Sequence, residues 1–169
     1  MSLCVQIDSR EQKYEHITKA FDRKKVKWFR SKLPVGDYME LDNARLVIDR
    51  KRRLEELCGN IFQDHERFKR EIELAKELGI TLIILVEHGP LIKCIGDVAA
   101  WNNPNIERGS TITGERLSRA ITTIQGKYGV SFRFCDKNQT ANRILEIFNE
   151  FRPGAYTGSY QINIGNGEI

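Results

Sequence analysis

The chain has 169 residues, 40% hydrophobic and 30% charged, which is enough for one folded domain and too little for two of ordinary size. No apolar run approaches the roughly 20 residues that a bilayer crossing needs, and Met1-Ser2-Leu3-Cys4 shows no secretory pattern. The net charge of +4 hides a concentration, because residues 19–53 hold 12 Lys/Arg against 5 Asp/Glu. Such a block fits either a polyanion partner or a solvated basic face.

In chain order, Leu3 to Ile7 reads as a strand, with Asp8-Ser9-Arg10-Glu11 at its carboxyl end. Ile17, Ala20 and Phe21 mark one face of a helix, and Val26 to Arg30 forms a second strand. Pro34 and Gly36 then mark a turn, and Tyr38 to Leu41 and Arg45 to Arg50 make a hairpin around Asp42-Asn43-Ala44. Leu54 to Ile61 opens a helical region. A firmer helix spans Asp64 to Leu78, with Phe68, Ile72, Ala75 and Leu78 on one stripe. The unbroken run Thr81 to Val86 predicts a strand covered on both faces. Residues 88–112 carry turn signals and no clear period. Thr113 caps a helix ended by Gly129, residues 130–135 alternate as a strand, and a last helix runs from about Thr140 to Phe151. Strands alternating with helices predict an α/β domain with helices packed on a central mixed sheet.

Several chemistries have no support. Cys4, Cys58, Cys94 and Cys135 are too scattered for a zinc motif or a disulfide frame and read as reduced intracellular thiols. His16, His65 and His88 are equally dispersed, and Gly126-Lys127-Tyr128 lacks the rest of a P-loop. The tail after Pro153 is glycine-rich and reads as extended or mobile, so the expected division is a domain over 1–152 and a tail over 153–169.

The hairpin carries the chemistry. If it turns about Asn43, Leu41 faces Arg45 and Asp37 faces Asp49, with Cβ atoms roughly 5 Å apart. Two facing carboxylates repel, and a divalent cation such as Mg²⁺ supplies a reason to keep them together. Lys51, two residues beyond Asp49, points to the same strand face, where an ammonium can orient a hydrolytic water and stabilise charge growing on phosphorus. Arg50 points to the other face, where it salt-bridges, fixes the site or touches a phosphate. Asp-x-Lys alone is common; with Asp37 opposite and basic residues alongside, the set reads as a metal-dependent nuclease site.

Asp8-Ser9-Arg10-Glu11, then Leu33-Pro34-Val35-Gly36-Asp37-Tyr38, then Asp49-Arg50-Lys51 with Glu55 four residues on, resembles the ERCC4-type nuclease domain. This is the XPF/MUS81/Hef family of structure-specific endonucleases, within the PD-(D/E)XK restriction-endonuclease-like superfamily. The family pattern is GD…ERKxxxD, and the similarity spans roughly residues 3–150. It implies a three-layer restriction-endonuclease-like fold. It makes Asp37 and Asp49 ligands of Mg²⁺ or Mn²⁺, with the Arg50 carbonyl as a third oxygen, and Lys51 the catalytic lysine. Asp8 becomes a further acid at the site edge, and Glu55 takes the place of the last aspartate. Arg10 and Glu11 support the site or the DNA backbone. Asp49 departs from the usual Glu, and Glu55 from the usual Asp.

The basic residues Arg52, Arg53, Lys27, Arg30 and Lys32 are expected on phosphates, which gives affinity without sequence readout. Trp28 and Trp101 either stack on unpaired bases or take a buried or dimer-facing role. About 18 residues follow Phe151, fewer than the tandem helix-hairpin-helix module usual in the family. The resemblance therefore implies a homodimer through the late helices, with DNA binding supplied in trans. The expected function is an intracellular endodeoxyribonuclease acting on branched or flapped DNA in repair, recombination or fork processing. The alternatives are a catalytically inactive DNA-binding scaffold and, further off, an RNase or restriction enzyme on the same fold.

Overall fold

The computed structural model describes residues 3–152; the glycine-rich tail of the sequence reading lies outside them. Six strands form one sheet: β1 (Cys4–Ile7), β2 (Lys27–Arg30), β3 (Tyr38–Glu40), β4 (Asn43–Lys51), β5 (Thr81–His88) and β6 (Ser131–Asp136). Their spatial order is β2-β1-β3-β4-β5-β6. β3 runs antiparallel to both its neighbours and the other pairs are parallel, so the sheet is mixed.

Helices cover both faces of this sheet. On one side lie α2 (Leu54–Cys58), α3 (His65–Glu77), α4 (Ile95–Val98) and α5 (Gly114–Tyr128). Leu57, Phe68, Ile72, Val98, Leu117 and Ile121 pack there against Val47, Leu82, Ile84 and Val86. On the other side α1 (Glu15–Arg23) and α6 (Thr140–Glu150) bury Ile17, Phe21, Ile144 and Phe148 against Ile7, Ile48, Ile83 and Leu85. The result is a three-layer α/β fold. β5 lies between two parallel neighbours with both faces covered, which is why Leu82 to Val86 is apolar at every position.

The boundary signals act as their chemistry dictates. Thr113 Oγ1 accepts the Arg116 N–H at 3.2 Å at the start of α5, and Gly129 closes that helix with φ +70°. The stretch 88–112, without a clear period in the sequence, contains α4 and a short 3₁₀ turn, Ile106–Arg108. Leu78 departs from expectation. It caps α3 and is 49% exposed, because the helix ends before its stripe comes round to the sheet again.

The hairpin is partly as expected. Tyr38 pairs with Ile48 and Met39 with Val47, the expected register; Asp37 lies just before this ladder, donates its N–H to the Ile48 carbonyl and has the Asp49 side chain as a neighbour. Beyond Met39 the register shifts, and Glu40 pairs with Asn43. Leu41 therefore does not face Arg45; its N–H donates to the Cys4 carbonyl at 2.9 Å and so ties the turn to β1.

Candidate active site

Asp37 sits just before β3, in a segment that the sheet holds from both sides. Its N–H donates to the Ile48 carbonyl at 2.8 Å, and its carbonyl accepts the Asp8 N–H at 2.8 Å. The Arg50 N–H donates to Asp37 Oδ2 at 2.7 Å, which locks the carboxylate over β4. Gly36 makes the approach possible: its φ is +69°, and a Cβ there would run into Val47 Cγ1.

Asp49 and Lys51 share the β4 face opposite Arg50, and both are buried. Lys51 Nζ lies 2.8 Å from Asp49 Oδ2 and 5.5 Å from the centre of the Phe68 ring on α3. Burial works against the lysine charge, but Asp49 first, then Glu71 and Asp37, hold the ammonium well above its ordinary value. Removal from solvent, then Asp49, then Glu11 push the Asp37 carboxyl well above the usual carboxylate range. Asp49 beside it disfavours a second negative charge on Asp37, so the pair favours sharing a proton or a cation.

Asp8 staples the loop before Gly36 to the end of β1. Its Oδ2 accepts the Leu33 N–H at 2.7 Å, and its Oδ1 accepts from the Arg10 N–H and Arg10 Nε, both at 2.8 Å. Burial disfavours the Asp8 charge, but Arg10 and the two backbone amides outweigh it and lower the pKa. Arg50 supports the site from beneath the sheet. Its guanidinium donates to both carboxylate oxygens of Glu11, to Glu87 Oε2 and to the Gln12 carbonyl, at 2.8–3.1 Å. Glu87 Oε2 is shared with His16 at 2.9 Å and Thr140 Oγ1 at 2.7 Å. The Arg50 side chain is thus fully buried and paired in the interior, although the residue also borders the cleft that holds Asp37 and Asp49.

A cleft of about 540 Å³ gathers Asp8, Arg10, Glu11, Asp37, Asp49, Lys51 and Arg52. Glu55 does not line it. Leu54 and Leu57 anchor α2 in the core and set its rotation, so Glu55 turns towards His88, 4.0 Å from Nδ1. Glu56 faces the cleft instead and accepts the Arg52 N–H at 2.9 Å. Arg53 is exposed at the N-terminus of α2. Arg30 donates to the Ser9 and Glu11 carbonyls and lies 4.8 Å over the Tyr14 ring, bracing the Asp8–Glu11 segment. Lys27, at the opposite end of edge strand β2, and Lys32 are exposed and do not line the cleft. Trp28 donates to Asp22 Oδ1 at 2.8 Å, and Trp101 packs edge-on to His88 in the core layer.

The sequence reading missed several cleft residues. Glu71, Arg67 and Arg70 come from α3, and Asn60 comes from a π-helical turn, Gly59–Gln63. Burial and Asp49 raise the Glu71 pKa, against Lys51 and the Gly36 N–H. Asn60 Oδ1 is buried without a hydrogen-bond partner. The one available signal was spacing: Arg67, Arg70 and Glu71 fall off the apolar stripe of α3 together.

The ERCC4 domain family matches residues 7–148. The chain belongs to this family. Two XPF structures are among the solved structures that share this fold. One is XPF from Aeropyrum pernix, with a TM-score of 0.63 and 22% identity over 90% of this chain and 64% of that one. The other is XPF from Aeropyrum pernix in complex with DNA, with a TM-score of 0.60 and 23% identity over 86% of this chain and 62% of that one. The ERCC4 chain described here thus spans less than two thirds of the XPF chains it resembles. A comparison with curated proteins gave no match.

Proposed function

We propose that this ERCC4 domain is a divalent-metal-dependent endodeoxyribonuclease that hydrolyses one phosphodiester in branched or flapped DNA. The supporting observation is the facing pair Asp37 and Asp49 on the cleft floor, with the Lys51 ammonium on the same face. The donor set fits a hard cation. Among the described residues no three His, Cys, Asp or Glu side chains converge on one point, and Mg²⁺ commonly takes one or two carboxylates with water and phosphate completing its shell. Asp37 and Asp49 would hold it, with the Arg50 carbonyl as a further oxygen. Bound there, Mg²⁺ or Mn²⁺ supplies Lewis-acid stabilisation of the phosphate.

The chain's own residues do the rest. Lys51 keeps its proton because Asp49 stabilises the ammonium, so it works as a fixed positive charge and not as a base. It orients the attacking water and stabilises the charge that grows on the non-bridging oxygens. Arg50 holds the β4 backbone and, through its N–H, the Asp37 carboxylate in register. Asp8 and Arg10 hold the opposite lip.

The DNA-bound XPF relative and the local basic excess support DNA as the substrate. Family resemblance supports a homodimer through α5 and α6, a DNA-binding partner in trans, and an intracellular role in repair, recombination or fork processing. The test compares wild type, Asp37→Ala and Lys51→Ala on flap, fork, junction and linear DNA and on RNA, with Mg²⁺, Mn²⁺ or EDTA. Cutting of branched DNA by wild type alone, blocked by EDTA, is expected. Equal cutting by all three proteins would sink the proposal, and DNA binding without cutting under any metal would favour the scaffold reading.

A further inference from the structure

Asp37 and Asp49 line the cleft from the sheet, and α3 lines it from the helical layer. Arg67, Arg70, Glu71 and Leu74 follow the i, i+3, i+4, i+7 spacing of a single helical stripe, and all four line the cleft. The core stripe of the same helix, Phe68, Ile72 and Ala75, is a separate set. A helix face that carries two arginines and an exposed leucine into a cleft contributes nothing to the core.

The arginines differ from their neighbours in one respect. Arg10 is paired with Asp8, Arg50 with Glu11 and Glu87, and Arg52 with Glu56. Among the described residues, Arg67 and Arg70 enter no ion pair within 4.0 Å, and both are exposed. Leu74 beside them is 38% exposed although it is a large apolar side chain. Arg67 feels Glu71 one turn on, but neither guanidinium is tied in an ion pair, and exposed forks that line a cleft beside Asp37 and Asp49 suit phosphate, which they can bind in bidentate fashion. They also offset the repulsion that Asp37, Asp49 and Glu71 would exert on an incoming polyanion.

We propose that the α3 stripe is the phosphate-gripping wall of the cleft. Arg67 and Arg70 each bind a backbone phosphate of the DNA strand flanking the scissile one, and Leu74 packs against a deoxyribose between them. The inference rests on the nuclease reading. It moves the main grip from the basic block at 19–53 to a helix outside that block.

The test measures binding of a fluorescent flap DNA in EDTA across a NaCl series, followed by steady-state cleavage with Mg²⁺. For Arg67→Ala/Arg70→Ala, Kd should rise about tenfold or more, and the slope of log K against log salt should fall by about 1.8, the share of two phosphate contacts. KM should rise with kcat little changed, and Arg67→Lys/Arg70→Lys should recover most of the affinity. Lys76→Ala, on the same helix but away from the cleft, should bind as wild type. A double alanine variant with wild-type melting, Kd and salt slope overturns the α3 assignment alone, provided wild type binds and cuts. Wild type that neither binds nor cuts any DNA overturns both the assignment and the nuclease reading.

Discussion

Lys51 Nζ lies 2.8 Å from Asp49 Oδ2, and this ion pair makes the two facing carboxylates electrostatically unlike. Asp49 has a buried counter-charge in direct contact, while Asp37 has no ion-pair partner within 4.0 Å among the described residues and is dominated by burial, Asp49 and Glu11, against one backbone N–H. In metal-free protein, Asp37→Asn should therefore raise stability, since it removes a buried carboxylate held beside Asp49 and Glu11. Asp49→Asn leaves the buried Lys51 ammonium unpaired and should cost about 3–5 kcal/mol. Urea midpoints in EDTA read both effects, and the reverse ordering would contradict this account of the pair.

Divalent cation should act on the same pair. Mg²⁺ at tenfold its Kd should add about 1.4 kcal/mol to wild-type stability, seen as a rise in Tm. The rise should vanish in Asp37→Asn, although that variant starts out more stable.

Glu87 is buried, and its Oε2 serves Arg50, His16 and Thr140 together. Glu87→Ala should cost about 3 kcal/mol or more, because Arg50 stays buried with part of its compensation removed. Arg50→Lys should not be a mild change either. A single ammonium cannot span Glu11, Glu87 and the Gln12 carbonyl as the planar fork does. Chemical denaturation checks both, and a wild-type midpoint for either variant would refute the network's role.

Asp8 gives a pH signature. Its folded pKa is lowered from 3.8, so the native state releases that proton more readily than the unfolded chain. The stability it contributes is full above about pH 4 and is lost as pH falls through the depressed value. Asp8→Asn should cost about 1.5–3 kcal/mol at neutral pH through weakened bonds to two amides and Arg10. The gap to wild type should close in acid, and a gap that widened below pH 4 would give the shift the wrong sign.

Gly36→Ala should cost about 1–3 kcal/mol, from φ +69° and the blocked approach to Val47. It should also slow cleavage more than it weakens DNA binding, because Asp37 is the next residue. Equal losses in kcat and affinity would mean that Gly36 supports the fold without positioning the carboxylate.

The facing of Asp37 and Asp49 was legible in the amino-acid sequence because a strand has a period of two and a short hairpin leaves few registers. The same local rules placed Lys51 beside Asp49 and turned Arg50 to the far face. The mixed sheet was legible too, since the apolar run of β5 demands cover on both sides. Only the tertiary structure decided which acids join the pair. Glu55 and Glu56 are adjacent in sequence, yet helix rotation separates them by about 100°, and the packing of Leu54 and Leu57 turns Glu56 to the cleft and Glu55 to His88. Glu71, Arg67 and Arg70 lie well along the chain from the hairpin and reach the site because Phe68 and Ile72 dock α3 on the sheet. Local periodicity sets which residues share a face, whereas the meeting of two such faces depends on long-range packing that no single stretch of sequence encodes.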